Sequence, residues 1–314
     1  MCWKQTLNSA LVYWEKKMIE MIFLGTSSMV PTKERNQSSL LISYKNHGIL
    51  VDCGEGTQRQ LKIAGIPITK VKKILISHWH GDHTLGLPGL IQSLAAASEN
   101  HTIDIYGPRG TKARFEYMFK AFVFDRKIEM NIHKIKEGKF LENEDFYLEA
   151  MPLEHSIETL GFNFVEKDRL RIDTKKTKKL GIPEGPLLGK LQDEKSIMWK
   201  GKTVKPEEVT YKVEGKKISI ISDTVPCKSC DLLAKDADIL VCEATYSSTL
   251  NEKSEAYRHM TGQQAALIAS RANAKRLILV HFSARYKVIE EIEEDAKAVF
   301  PNTVCAYDFM KIKA

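Results

Sequence analysis

One short run limits this chain more than any other: Ser77-His78-Trp79-His80-Gly81-Asp82-His83, placed directly after Lys72-Lys73-Ile74-Leu75-Ile76. Three of the nine histidines fall within six positions, with an aspartate among them. Imidazoles and a carboxylate that close together cannot pack unpaired into an apolar interior. They are the donor types that hold zinc and other first-row divalent ions. An apolar run just before them predicts a strand whose tip presents the donors while a rigid sheet holds them. Side chains alternate in extended backbone. His78 and His80 are therefore expected to point one way, with Asp82 and His83 turning to a second ion after a bend that Gly81 permits. The plainer reading is a surface histidine cluster, which the preceding strand and the interleaved aspartate argue against.

Further donors cap other predicted strands. His155 follows the strand at 146–151, Asp223 ends Ile218-Ser219-Ile220-Ile221-Ser222, and His281 ends Arg276-Leu277-Ile278-Leu279-Val280. Strand ends are where open sheets place their chemistry. More strands are expected at 21–24, 48–51, 73–77, 102–106, 218–222, 237–241 and 276–280, and a closing one at 303–312. Helical spacing marks 57–64, 84–98, 111–122, 262–272 and 287–298. Such alternation predicts sheets covered by helices.

The rhythm breaks between 167 and 217. That stretch carries 15 Lys and Arg against eight Asp and Glu, a net charge of +7, equal to that of the whole chain. At its centre, Gly181-Ile182-Pro183-Glu184-Gly185-Pro186-Leu187-Leu188-Gly189 is rich in residues that stop helices and strands. The expected structure is a basic arm leaving the globular body, suited to a polyanion. A solvated lysine-rich loop is the plainer reading.

No apolar run approaches the roughly 18 residues of a membrane span. The short apolar run 10–14 is flanked by Lys4, Glu15, Lys16 and Lys17, a poor match to a secretory signal, whose core is about 7–15 residues long. Met18 and Met21 are alternative starts. Six scattered cysteines suggest no disulfide framework. Cys227-Lys228-Ser229-Cys230 is a CxxC without a second pair, which leaves its role open. Reduced thiols and a cytoplasmic location are expected.

The HxHxDH run, followed by His155, Asp223 and His281 after three later strands, resembles the metallo-β-lactamase superfamily. The resemblance implies a four-layer αββα sandwich with two zinc ions, or manganese or another divalent ion. His78, His80 and His155 would hold one ion, Asp82, His83 and His281 the other, and Asp223 would bridge both. The run does not name a substrate.

Other segments are similar to the tRNase Z family. Pro31-Thr32-Lys33-Glu34-Arg35-Asn36 resembles its PxKxRN loop, and would offer Lys33, Arg35 and Asn36 to a phosphate. Asp52-Cys53-Gly54-Glu55-Gly56-Thr57-Gln58 resembles its DCGEGTQ run, whose glycines would let backbone approach a ligand. Glu243-Ala244-Thr245 and His259-Met260-Thr261 resemble its EAT and HxT elements. There Glu243 would orient His259, and His259 would protonate the leaving oxygen. Asp82 would accept a proton from water. His281-Phe282-Ser283-Ala284-Arg285-Tyr286 resembles HFSxRY, with Ser283 and Arg285 on the scissile phosphate.

The basic stretch resembles the flexible exosite arm of the short form. The resemblance covers about 21–312. Residues 1–20 fall outside it as an N-terminal extension, and 21–314 form a metallo-β-lactamase domain with the arm inserted at about 167–217. The implied activity is removal of the 3′ trailer from precursor tRNA by a homodimer, away from any membrane. It would leave a tRNA 3′-hydroxyl and a trailer 5′-phosphate. The alternatives are a phosphodiesterase or other small-molecule hydrolase on the same fold, and an RNA-binding protein with a relict metal site.

Overall fold

The computed structural model describes residues 18–97, 101–123 and 127–314. The run at 10–14 and all of the expected extension before Met18 lie outside these residues, as does the last position of the helix expected at 84–98.

Two seven-stranded sheets face each other. The first contains β1 (Glu20–Gly25), β2 (Ser39–Tyr44), β3 (His47–Val51), β4 (Lys73–Leu75), β5 (Thr102–Gly107) and β6 (Glu129–Lys134). The second contains β7 (Gly138–Glu142), β8 (Phe146–Leu153) and β9 (Thr159–Glu166). Four short strands follow: β10 (Arg169–Ile172), β11 (Ile197–Trp199), β12 (Lys202–Val204) and β13 (Thr210–Val213). The second sheet resumes with β14 (Lys217–Ile221), β15 (Ile239–Glu243), β16 (Leu277–Val280) and β17 (Thr303–Cys305), and β18 (Lys311–Lys313) returns to the first. The orders are β18-β1-β2-β3-β4-β5-β6 and β17-β16-β15-β14-β9-β8-β7.

Period-2 alternation with apolar residues on both faces sets the layering. In β1, Met21 and Phe23 enter the core between the sheets, where they join Phe146, Phe162, Phe164 and Ile220. Ile22 and Leu24 face outward and pack with residues of the helices Thr57–Ile63 and Leu87–Ala97. In the second sheet Leu240 and Cys242 face outward, towards Leu233 and residues of Gly262–Arg271. The result is αββα, as the resemblance implied.

Three local readings change. The closing strand expected at 303–312 is two strands in different sheets, because the chain crosses over through Tyr307-Asp308-Phe309. The helix expected from Thr84 divides into Gly81–Thr84 and Leu87–Ala97. The bend expected at Gly81 is present, since extended His80 (ψ 153°) gives way there to helix, without a positive φ. The body also starts slightly earlier than expected, since Ile19 is 1% exposed and belongs to the inter-sheet core.

The basic stretch leaves the second sheet after β9 and returns at β14, two strands that pair antiparallel. Between them, β10 pairs with β13 and β11 pairs with β12. Ile182, Leu191, Ile197, Val204 and Val209 form a small separate core. The insertion is thus a folded appendage rather than a structureless loop. Gly181 ends the helix Thr174–Leu180 at φ 69°, a left-handed cap that favours glycine.

Candidate metal centre

Parallel pairing aims the chemistry at one rim. β3 and β4 run parallel in the first sheet, and β14, β15 and β16 in the second. Asp52 follows β3, the His78–His83 run follows β4, Asp223 follows β14, Glu243 ends β15 and His281 follows β16. Asp52 and His281 sit at φ 58° and 65°, a left-handed backbone that costs a non-glycine residue and turns each side chain off its strand axis. A bridge between Ser27 and Phe282 ties the rims of the two sheets together.

Two donor groups form there. His78, His80, His155 and Asp223 bring one ligand atom each within 4.8 Å of one another, and so do Asp82, His83, Asp223 and His281. Asp223 is common to both. All seven residues expected at the ions come together, and Glu243 and His259 form a third group with His281.

Hydrogen bonds around the rim fix which nitrogen points inward. Ser77 Oγ donates to Asp52 Oδ2 at 2.7 Å, so its single proton is committed and it accepts from His78 Nδ1 at 2.9 Å. Thr245 Oγ1 likewise donates to Glu243 Oε2 at 2.7 Å and accepts from His281 Nδ1 at 2.9 Å. His83 Nδ1 donates to Asp52 Oδ2 at 2.8 Å, and His155 Nδ1 to the Arg258 carbonyl at 2.8 Å. Four imidazoles are therefore held by Nδ1 and turn Nε2 to the centre. This is the outer support that metal-binding histidines need. His80 is reversed, with Nδ1 3.0 Å from His78 Nε2.

The interior of the site lacks protein partners. His83 Nε2 and Asp223 Oδ1 are buried without a hydrogen bond. They lie 3.3–3.4 Å from opposing carboxylate or imidazole atoms, close but unaligned. Buried polar atoms left in this way fit a cation between them. The donor set of imidazoles and carboxylates suits a divalent ion.

The titration pattern agrees. Burial and neighbouring imidazoles lower the pKa of His78 and His80, and burial lowers that of His155, which favours the neutral ligand form. Burial opposes ionisation of Asp82, but the neighbouring His281 and His83 outweigh it and keep its carboxyl far below the usual range. Asp223 is held low in the same way, against burial, by His281, His83 and His78. For His83, burial opposes the charge while Asp223 and Asp52 favour it more strongly, so its pKa rises well above the ordinary value.

His259 stands beside the centre. Its Nδ1 is 3.1 Å from Glu243 Oε1, and its ring lies 5.1 Å from that of His155 and 5.3 Å from that of His281. Burial disfavours its proton, but the Glu243 carboxylate prevails and lifts the pKa to about 9. Glu243 also accepts from Thr224 N at 2.7 Å, so it is fully engaged and rigid.

The residues expected on the substrate divide. Lys33 and Arg285 are exposed, and Arg285 Nε donates to Ser283 Oγ at 3.1 Å while its guanidinium lies 5.0 Å from the Tyr246 ring centre. Arg35 departs from the reading of a free phosphate donor. It is only 7% exposed, and its Nη2 donates to the Tyr286 carbonyl at 2.6 Å. Asn36 donates its side-chain amide to the Glu55 carbonyl at 2.8 Å. The glycines of the 52–58 run also serve the chain itself: a Cβ on Gly54 would stand 2.6 Å from the Asp82 carbonyl.

Sequence reasoning passed over Asp52 and Thr245 as individual residues. Asp52 caps an apolar strand just as Asp223 does, and that signal was available. Thr245 had none, because its role depends on a partner 36 positions away.

Comparison with known proteins follows the same lines. Residues 19–180 match the family model described as anti-Pycsar protein Apyc1. Ribonuclease Z of Methanothermobacter thermautotrophicus is 40% identical over 297 residues, covering 94% of this chain and 97% of that protein. The short form of human tRNase Z superposes with a TM-score of 0.69 at 27% identity, over 93% of this chain and 98% of that one. The metallo-β-lactamase fold protein YhfI of Bacillus subtilis gives a TM-score of 0.70 at 17% identity, over 95% and 100% of the two chains, a likeness of fold.

Proposed function

The chain belongs to the ribonuclease Z family, and from that premise we propose how its rim of donors cuts precursor tRNA at the 3′ end. The reading is a metal-dependent endoribonuclease that releases the 3′ trailer, leaving a tRNA 3′-hydroxyl and a trailer 5′-phosphate. One observation carries it: two donor groups share Asp223, and an imidazole held by a buried carboxylate lies beside them.

Two zinc ions, or manganese in their place, are the proposed occupants. Bound there, such ions lower the pKa of a shared water and offset charge on the phosphate oxygens. The remaining work falls to this chain's side chains. Asp82, ionised and facing the centre, would take the proton of the attacking water. Glu243 holds His259 by Nδ1, which leaves Nε2 to carry a proton to the departing 3′ oxygen. Lys33, Ser283 and Arg285 are the proposed phosphate contacts. Arg35 and Asn36 would position the loop that carries Lys33.

The appendage at 169–213 would hold the tRNA body. Lys175, Lys176, Lys178 and Lys179 are all exposed along the helix Thr174–Leu180, a cationic face suited to backbone phosphates. Recognition by shape rather than by base sequence fits a folded RNA. Pairing of two copies, one gripping the tRNA that the other cuts, is the proposed assembly, and sedimentation tests it.

The deciding experiment maps the cut on a 3′-extended tRNA transcript with zinc or manganese present. A single cut just after the discriminator base is expected. A metal-loaded protein that leaves several such transcripts whole, while hydrolysing a small phosphodiester, would be a small-molecule hydrolase instead.

A further inference from the structure

Cys227 and Cys230 take no part in the proposed reaction, yet they sit on the loop that delivers Asp223. Their sulfurs are 3.4 Å apart, and Cys230 N donates to the Cys227 carbonyl at 3.0 Å, so one closed turn holds both side chains on the same side. Their surroundings differ. Cys227 is half-buried, whereas Cys53, Cys230, Cys242 and Cys305 are buried. Among the described cysteines, Cys227 is the thiol that a small solute can reach.

We propose that Cys227 and Cys230 form a dithiol modification site, oxidised by hydrogen peroxide to an intramolecular disulfide. The Cys227 thiolate attacks one peroxide oxygen, breaks the O–O bond and becomes a sulfenic acid as hydroxide leaves. Cys230 sulfur then displaces the sulfenic oxygen, and its proton departs with that oxygen as water. Overall, two thiols and one peroxide give one disulfide and two waters, with two electrons passing to the peroxide.

Three features support this order of events. A hydrogen bond from Cys230 holds the Cys227 thiol down at about 6, so the reachable sulfur is largely the nucleophilic thiolate at neutral pH. The same contact and burial push the Cys230 thiol far up, which suits a resolving partner and not a first nucleophile. Closing the bond needs the sulfurs to come within about 2.05 Å, a small movement inside one turn. The disulfide would form beside Thr224, whose Oγ1 lies 3.9 Å from Cys227 Sγ and whose N–H binds Glu243.

The test treats the full-length protein with hydrogen peroxide and follows intact mass and tryptic peptides. Lys228 separates the two cysteines, so trypsin cleavage leaves a disulfide joining two peptides. The expected result is loss of two hydrogens, that joined pair, and reaction of Cys227 at least about tenfold faster than of Cys53, Cys242 and Cys305. Cys230→Ser should stop at a sulfenic acid on Cys227, trapped by a cyclic dione probe. Cys227→Ser should abolish fast oxidation. A peroxide-treated protein with no joined peptides, or with the buried cysteines reacting equally fast, would overturn the proposal.

Discussion

Replacing Glu243 by Gln isolates the proposed acid. The carboxylate is 1% exposed and lies 3.1 Å from His259 Nδ1, itself 15% exposed, so solvent screens the pair weakly. Burial works against the His259 proton, and the pair lifts the group from 6.5 to about 9. That gap is worth roughly 3 kcal/mol in favour of the imidazolium. The sign follows directly: the proton is held below the raised value and lost as pH climbs through it. Neutralising Glu243 returns the group towards 6.5. At pH 6 the variant then retains most of its acid, at pH 7.5 about a tenth, and at pH 8.5 about a hundredth. Bound cations push both limbs lower together and preserve their order. Single-turnover cleavage of a 3′-extended tRNA across pH 6–9 should show a defect that grows with pH, to about a hundredfold, within the span of general acid catalysis. A substrate with sulfur in place of the departing 3′ oxygen needs no such acid, and should be cut by the variant at nearly the native rate. Thr245 links Glu243 to His281, so damage to the metal centre would slow both substrates alike. Equal losses on the two substrates would refute the acid dyad.

Asp52→Asn removes the carboxylate from His83 Nδ1 and should weaken metal binding about 10–100-fold, read by competition with a chromophoric chelator; an unchanged Kd would remove Asp52 from the support of the site. Stripping metal with a chelator should abolish cleavage and lower Tm, because His83 Nε2 and Asp223 Oδ1 are left buried without partners, and zinc or manganese should restore both. Changing Lys175, Lys176, Lys178 and Lys179 together to Gln should flatten the salt dependence of tRNA binding by about 0.9 in log–log slope for each phosphate that is no longer neutralised, while hydrolysis of a small phosphodiester stays unchanged; an identical slope would disconnect this helix from RNA. A Cβ at Gly86 would stand 2.1 Å from the Gly54 carbonyl, so Gly86→Ala should cost about 2 kcal/mol or more by forcing backbone apart, visible as a lower Tm in thermal melts.

What the sequence disclosed, and what it hid, divides by the range of the deciding contact. Alternation within β1 already assigns Met21 and Phe23 to one layer and Ile22 and Leu24 to the other, since a pleat turns neighbours to opposite faces. Donors at the ends of β14 and β16 announce themselves for the same local reason: a polar side chain closing an apolar run. The charge at 167–217 marks an insertion, yet its small core of Ile182, Leu191, Ile197, Val204 and Val209 is diluted among lysines and leaves no clean period.

Arg35 shows the opposite limit. In its loop it offers a phosphate-binding guanidinium; the Tyr286 carbonyl that occupies it is 251 residues away. The stretch 303–312 reads as continuous strand, but Phe309 takes φ 70° and Asp308 accepts Thr26 and Asn36 amides, which turns the chain from one sheet to the other. The same limit governs the chemistry. Donor identity at the rim is written locally, whereas the direction of each lone pair is not. His78 and His281 face the centre only because Ser77 and Thr245 have given their single protons to Asp52 and Glu243. Losing either acceptor would free a hydroxyl to donate to the imidazole Nδ1 and weaken the preference for an inward Nε2 lone pair; a Gln at 243 still offers Thr245 an acceptor oxygen. Asp52 and Glu243 therefore tune how well the rim presents its lone pairs to a cation, although neither belongs to the two donor groups that share Asp223.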